Sequence, residues 1–240
     1  MTICWSARPR TRRQQREAVI AGTGETAARP TWAGAEQSRF EQEALADGPL
    51  ADAYDAGNRS TAPPVAPAAG AALRFLAAST GARSVVEIGT GCGASGLWLL
   101  RGMARDGILT TVDADAAHVD RARSVFTRAG FGVGRARLIC GTAQEVLPRL
   151  ADGGYDMVFV DADPVSYPDF LAEAMRLLRP GGMVVLHGIL AGPAGPDGPL
   201  RVPDPAEAAV HGTVRAVREQ EDLVPLLLPL GEGLLAAIRP

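Results

Sequence analysis

The chain contains no lysine: all 24 of its basic residues are arginine. Any mechanism that needs a lysine amine, as a base or as a Schiff-base nucleophile, is therefore excluded. Cysteine is almost as scarce. Cys4, Cys92 and Cys140 stand far apart with no C-x-x-C pair, which reads as reduced thiols of a cytoplasmic protein and offers no disulfide or zinc framework. No apolar run approaches the roughly 18–20 residues of a membrane span, so no membrane partner is expected. The formal charge of −3 gives no reason to expect nucleic acid as a partner.

The arginines are unevenly spread. Arg8, Arg10, Arg12, Arg13 and Arg16 crowd the start, ahead of the first acid, Glu17. A secretory signal would follow such a region with an apolar stretch, and none appears. Residues 18–38 are rich in Gly, Ala, Thr and Pro without period. Residues 1–38 are therefore expected to be a disordered Arg-rich tail, and residues 39–240 a single domain with ample apolar residues for a core.

From Phe40 onward the pattern becomes regular. Helical spacing runs through Phe40, Ala44, Leu45 and Tyr54, broken at Pro49. A turn-rich stretch (60–70) leads into a helix through "GAALRFLAAS". Short apolar runs then alternate with helical patterns. The strands are "SVVEIG" (84–89), "GILTTVD" (107–113), "ARLIC" (136–140), "YDMVFVD" (155–161) and "MVVLHG" (183–188). The intervening helices are "SGLWLLRGMAR", "DAAHVDRARSVFTRAG", "TAQEVLPRL" and "YPDFLAEAMRLLRP". A Gly/Pro-rich loop at 191–204 precedes a last helix, "PAEAAVHGTVRAVREQ". The chain closes with two apolar runs around "GEG", an antiparallel hairpin. Five strand–helix alternations predict an α/β fold. Its expected form is a doubly wound, Rossmann-like, seven-stranded sheet, mostly parallel, with helices on both faces and an antiparallel C-terminal hairpin strand.

The most informative stretch is "VEIGTGCGASG" (86–96), and it can be parsed twice. Gly91, Gly93 and Gly96 spell the dinucleotide fingerprint G-x-G-x-x-G, whereas Glu87, Gly89, Gly91 and Gly93 spell E-x-G-x-G-x-G. The dinucleotide glycines should start directly at the strand end, and here they fall late; a lone fingerprint is weak evidence. The second parse uses more residues. Glu87 offers a carboxylate that can reach an ammonium through water, and Asp113, at the end of the second strand, can take both hydroxyls of a ribose. S-adenosylmethionine carries an ammonium and NAD does not.

These residues, with "PPVAPAAGAAL", "LTTVDAD", "GTAQEVLPRL", "YDMVFVDAD", "LLRPGG" and "LPLGEGLLAAIR", give a chain that resembles the class I S-adenosylmethionine-dependent O-methyltransferases, and within them the catechol and caffeoyl-CoA type. The likeness runs from about Phe40 to Pro240. It implies S-adenosyl-L-methionine as cofactor, a small hydroxylated, phenolic methyl acceptor, and a homodimer. It also assigns roles by position. Val65 would line the amino-acid end of the cofactor, and Glu87, Gly89, Thr90, Gly91 and Ser95 would hold the methionine moiety. Asp113 would bind the ribose, Ala114 would lie under the adenine, and Ala143 and Gln144 would border its edge. Asp161 would sit beside the sulfonium and the acceptor.

The chain departs from that family at the metal site. The family pattern has a metal-binding Asp at the end of the fourth strand, a Lys base three residues on, and an Asp-Asn pair ending the fifth strand. Here Asp161 is kept, Pro164 holds the Lys position, and the pair reads His187-Gly188. Magnesium wants hard oxygen ligands, so the divalent metal is expected to be absent, with Asp161 and His187 as the catalytic residues. His187 with Asp161 and Asp163 is the alternative donor set, suited to zinc or iron. A further alternative is a non-catalytic S-adenosylmethionine-binding module of the same fold.

Overall fold

The computed structural model describes residues 31–191 and 204–240. The Arg-rich segment and most of the Gly/Pro-rich loop lie outside the described residues. The chain divides into two compact units, Met1–Phe40 and Glu41–Pro240. Helix α1 (Thr31–Leu45) starts nine residues before Phe40, so residues 31–38 are helical where the sequence suggested tail. Ala33, Ala35, Glu36 and Gln37 are good helix formers and outweigh Gly34.

In the second unit, α2 (Gly48–Asn58) begins on Asp47, whose side chain accepts from Leu50 N at 3.2 Å. Pro49 sits in its first turn, where proline costs no hydrogen bond. There follow α3 (Pro67–Ser79), β1 (Ser84–Ile88), α4 (Ala94–Gly102), β2 (Ile108–Asp113), α5 (Ala116–Arg128) and β3 (Ala136–Cys140). The expected helix "TAQEVLPRL" is one α turn, α6 (Ala143–Val146), then a 3₁₀ turn (Leu147–Arg149), because Pro148 cannot donate to a continuing α-helix. The rest is β4 (Tyr155–Val160), α7 (Tyr167–Leu177), β5 (Leu178–His187), α8 (Pro205–Glu219), β6 (Val224–Leu228) and β7 (Leu234–Ile238). α7 ends earlier than its sequence pattern. β5 opens at Leu178, and its register with β4 jumps between Tyr155↔Leu178 and Met157↔Met183.

The seven strands lie in the order β3-β2-β1-β4-β5-β7-β6. The first five are parallel, and β7 runs antiparallel to both β5 and β6. Alternate residues of each strand face opposite layers. Val85, Leu109, Phe159 and Val185 join Leu73, Leu97, Trp98 and Phe126 in one core, while Val86, Val158, Val160 and Leu186 join Tyr167, Phe170 and Val217 in the other. β1 pairs with β2 on one side and β4 on the other. The chain order reverses there, so the carboxyl ends of β1 and β4 part to form the crevice where ligands bind in such sheets.

Candidate active site

The loop after β1 is shaped by contact with the neighbouring strand end. Gly89 has φ +94°, and a Cβ there would stand 1.8 Å from the carbonyl oxygen of Asp161. Only glycine permits both that backbone and that approach. Asp113 ties the loop down: its Oδ2 accepts from Gly91 N at 2.9 Å and its Oδ1 from Asp115 N at 2.9 Å. Asp115 in turn caps α5, accepting from Ala117 N at 2.8 Å. His118, one turn into α5, brings Nδ1 to 3.5 Å from Asp113 Oδ1.

Above this loop opens a cavity of about 770 Å³, within the size range of small-molecule and cofactor sites. Gly89, Thr90, Gly91, Asp113 and Ala114 border one end. Ala143, Gln144, Asp161 and His187 border it as well, bringing nine of the sequence-selected residues together. Val65, Glu87 and Ser95 do not line it; all three are buried behind the wall. Glu87 shares the strand face of Val85, so its side chain runs beneath α4: a Cβ on Gly96 would meet both Phe126 and Glu87 Oε2. There it accepts from the Thr111 hydroxyl at 2.6 Å. Burial pushes its carboxyl up to about 8, against the hydroxyls of Thr111 and Ser95 and with the like charges of Asp161 and Asp113.

Also on the cavity wall, His187 and Asp161 form a pair, with His187 Nδ1 2.8 Å from Asp161 Oδ1. The other ring nitrogen, Nε2, is buried and has no protein partner. Tyr167, from α7, donates its hydroxyl to the main-chain oxygen of His187 at 2.8 Å and fixes the strand end. Burial disfavours the imidazolium, but the hydrogen bond and charge of Asp161, with the charge of Glu232, outweigh it and hold His187 above the ordinary histidine value. Glu232, in the β6–β7 turn, also borders the cavity.

The comparisons fit this geometry. A family model described as O-methyltransferase matches residues 50–239. The chain belongs to the O-methyltransferase family. It is 48% identical over 218 residues to a protein of Mycolicibacterium vanbaalenii named for an inferred O-methyltransferase activity, covering 91% of this chain and 96% of that one. Among solved structures, a Corynebacterium glutamicum protein superposes with a TM-score of 0.74 at 25% identity, covering 94% and 96% of the two chains. The O-methyltransferase TomG of Streptomyces achromogenes, involved in tomaymycin synthesis and solved with S-adenosylmethionine, gives a TM-score of 0.72 at 28% identity, covering 85% and 98%.

The donors around Asp161 are few. Asp161 spends one oxygen on His187, Pro164 has no donor, and Gly188 has no side chain. Among the described residues no group of three or more His, Cys, Asp or Glu could hold a metal ion. An imidazole beside a single carboxylate is a poor match to the hard oxygen set that magnesium prefers, and Asp161, Asp163 and His187 do not converge into the alternative zinc or iron set.

Four residues near the site escaped the sequence reading: Thr111, His118, Tyr167 and Glu232. Thr111 could have been found from strand register, because it stands opposite Glu87 in the β1–β2 pair. His118 follows Asp113 on the first turn of α5, and that adjacency was a usable signal. Tyr167 and Glu232 reach the site only through the packing of α7 and the terminal hairpin.

Proposed function

We propose that this enzyme transfers a methyl group from S-adenosyl-L-methionine to the hydroxyl of a small phenolic acceptor, with His187 as general base and without a divalent metal. The observation that carries the reading is the His187–Asp161 pair: both residues line the cavity, and the buried Nε2 of His187 has no protein partner.

The cavity suits the cofactor. Asp113 keeps lone pairs for a ribose beyond the two backbone N–H bonds that it accepts, and Gly89 and Gly91 border the same cavity. Ala114, Ala143 and Gln144 border the space for the base. When bound, S-adenosylmethionine supplies an electrophilic methyl carbon on a sulfonium, which departs as a neutral thioether.

The protein then has two tasks. It must hold the acceptor oxygen in line with that carbon, which is worth much of the rate in a displacement of this kind. It must also take the hydroxyl proton. Asp161 accepts from Nδ1–H, so the tautomer is set with a lone pair on Nε2, which is the atom that receives the proton. The negative carboxylate beside the ring stabilises the imidazolium that results. Asp161 is thereby an orienting residue for the base.

The test is to incubate the protein with methyl-labelled cofactor and a panel of simple phenols in the presence of a chelator. Transfer of label to a phenol is expected. Cofactor binding without transfer to any member of the panel would favour the non-catalytic module.

A further inference from the structure

Glu87 is buried away from the cavity, yet it is joined to the cavity wall. Its Oε2 lies 2.6 Å from Thr111 Oγ1, and Thr111 Oγ1 lies 2.7 Å from Thr90 Oγ1. Thr90 lines the cavity; Glu87 and Thr111 do not. All three side chains are buried. No hydrogen bond within the usual distance reaches the Oε1 of Glu87, although the Ser95 hydroxyl acts on the same carboxyl. We propose that Glu87, Thr111 and Thr90 form a directional hydroxyl relay that presents the charge of a hidden carboxylate to the cofactor's ammonium group, and that cofactor binding expels a proton from Glu87. This inference rests on the cofactor reading given above.

The argument is a count of protons. Each threonine hydroxyl has one hydrogen to donate. If Glu87 is ionised, Thr111 must donate to it, so Thr90 must donate to Thr111. The Thr90 oxygen then offers only lone pairs to the cavity, which is what a bound ammonium needs. If Glu87 is protonated on Oε2, the oxygen 2.6 Å from Thr111 Oγ1, Thr111 can accept that proton. The chain then reverses. Thr111 donates to Thr90, and the Thr90 hydrogen turns toward the cavity, where it opposes a cation. The two protonation states of Glu87 are thus the two directions of one chain.

The surroundings place the free enzyme in the protonated direction. The charged groups acting on Glu87 are Asp161, beyond β4, and Asp113, at the end of β2, and both are anionic. From α4, α5 and β2 the near neighbours are Ser95, Gly96, Phe126 and Leu109, none of them charged. Burial and these two carboxylates hold the carboxyl at about 8. A cation in the cavity opposes all three effects, lowers the pKa and drives the proton off. The sign follows: binding releases a proton below about pH 8, and cofactor affinity rises with pH up to that value.

The experiment is titration calorimetry of S-adenosylhomocysteine, which carries the same ammonium, at pH 7 in two buffers of different ionisation enthalpy. The wild-type chain is expected to release about one proton per ligand. Glu87→Gln should release none, and its affinity should be flat between pH 6 and 8. Thr111→Val should bind about tenfold or more weakly and also release none. Thr90→Val gives a second cut in the same chain should Thr111→Val fold poorly, and thermal melts of the unliganded variants report folding. Binding by the wild type with no proton release, or wild-type affinity and release in a folded Thr111→Val or Thr90→Val protein, would overturn the relay. Failure of the wild type to bind S-adenosylhomocysteine at all would instead remove the cofactor reading on which the relay stands.

Discussion

His187 Nδ1 stands 2.8 Å from Asp161 Oδ1, joining the ends of the neighbouring strands β5 and β4. The pair makes each residue's role depend on the other. Replacing Asp161 with Asn should remove the main cause that raises the histidine pKa and leave the ring tautomer unfixed. A base must be unprotonated, so the wild-type rate is expected to climb with pH through a value above the usual histidine 6.5. In Asp161→Asn that rise should move to lower pH while the plateau falls by roughly tenfold or more. An unmoved pH profile in the variant would show that the pair is not what titrates.

Asp113 holds the glycine loop and lines the cavity, where the proposed cofactor would place its ribose. Asp113→Ala should weaken binding of S-adenosylhomocysteine by about 1.5–3 kcal/mol, or roughly tenfold to over a hundredfold. Calorimetry is the measurement, and an unchanged affinity would remove the ribose assignment.

Gly89 has no room for a methyl group. Gly89→Ala would drive a Cβ into the Asp161 carbonyl and force an L residue to φ +94°. A loss of about 3 kcal/mol or more is expected in urea unfolding, because the obstacle is backbone and cannot swing aside. Wild-type stability in this variant would mean that the β1 loop and the end of β4 are not packed as described.

Asp156 performs a structural task at the opposite end of the sheet. Its Oδ2 accepts from Arg83 N at 2.7 Å and Ser84 N at 2.8 Å, and its Oδ1 meets Arg179 Nε at 2.6 Å. Burial opposes its ionised form, but these partners win and lower its pKa. A carboxyl lowered on folding stabilises above its unfolded value, about 3.9, and that stability is lost as pH falls through the folded value. Asp156→Asn should therefore lose about 1.5–3 kcal/mol at neutral pH. The deficit should shrink toward pH 3 in melting curves. A deficit independent of pH would point to shape and not to charge.

Much of this was legible in the chain because strands and helices alternate with clear periods and punctuation. Asp115, Asp47 and Pro49 mark helix starts, and the glycine turn between β6 and β7 marks the hairpin. Gly89, Thr90, Gly91, Asp113, Asp161 and His187 follow strand ends, which the fold brings to one crevice. What was not legible depended on register and packing. Glu87 looked like a ligand for the cavity, but strand parity turns it beneath α4, and only the pairing of Glu87 with Thr111 shows where its charge leads. The bulge at Arg179–Gly182 that starts β5 early rests on Arg179 meeting Asp156, a contact 23 residues apart. The expected tail over 1–38 failed at its inner edge, where local helix propensity prevails over one glycine and starts α1 at Thr31.

The central claim is that the free nitrogen of His187 takes the acceptor's proton without help from a metal. It is tested most directly by comparing single-turnover methyl transfer in the wild-type protein and in His187→Ala, with chelator present and with cofactor affinity measured alongside. The account predicts a wild-type rate indifferent to the chelator, and a fall of roughly 10²–10⁴ in the variant at unchanged affinity. Full activity in His187→Ala, or wild-type activity abolished by the chelator and restored by magnesium, would contradict it.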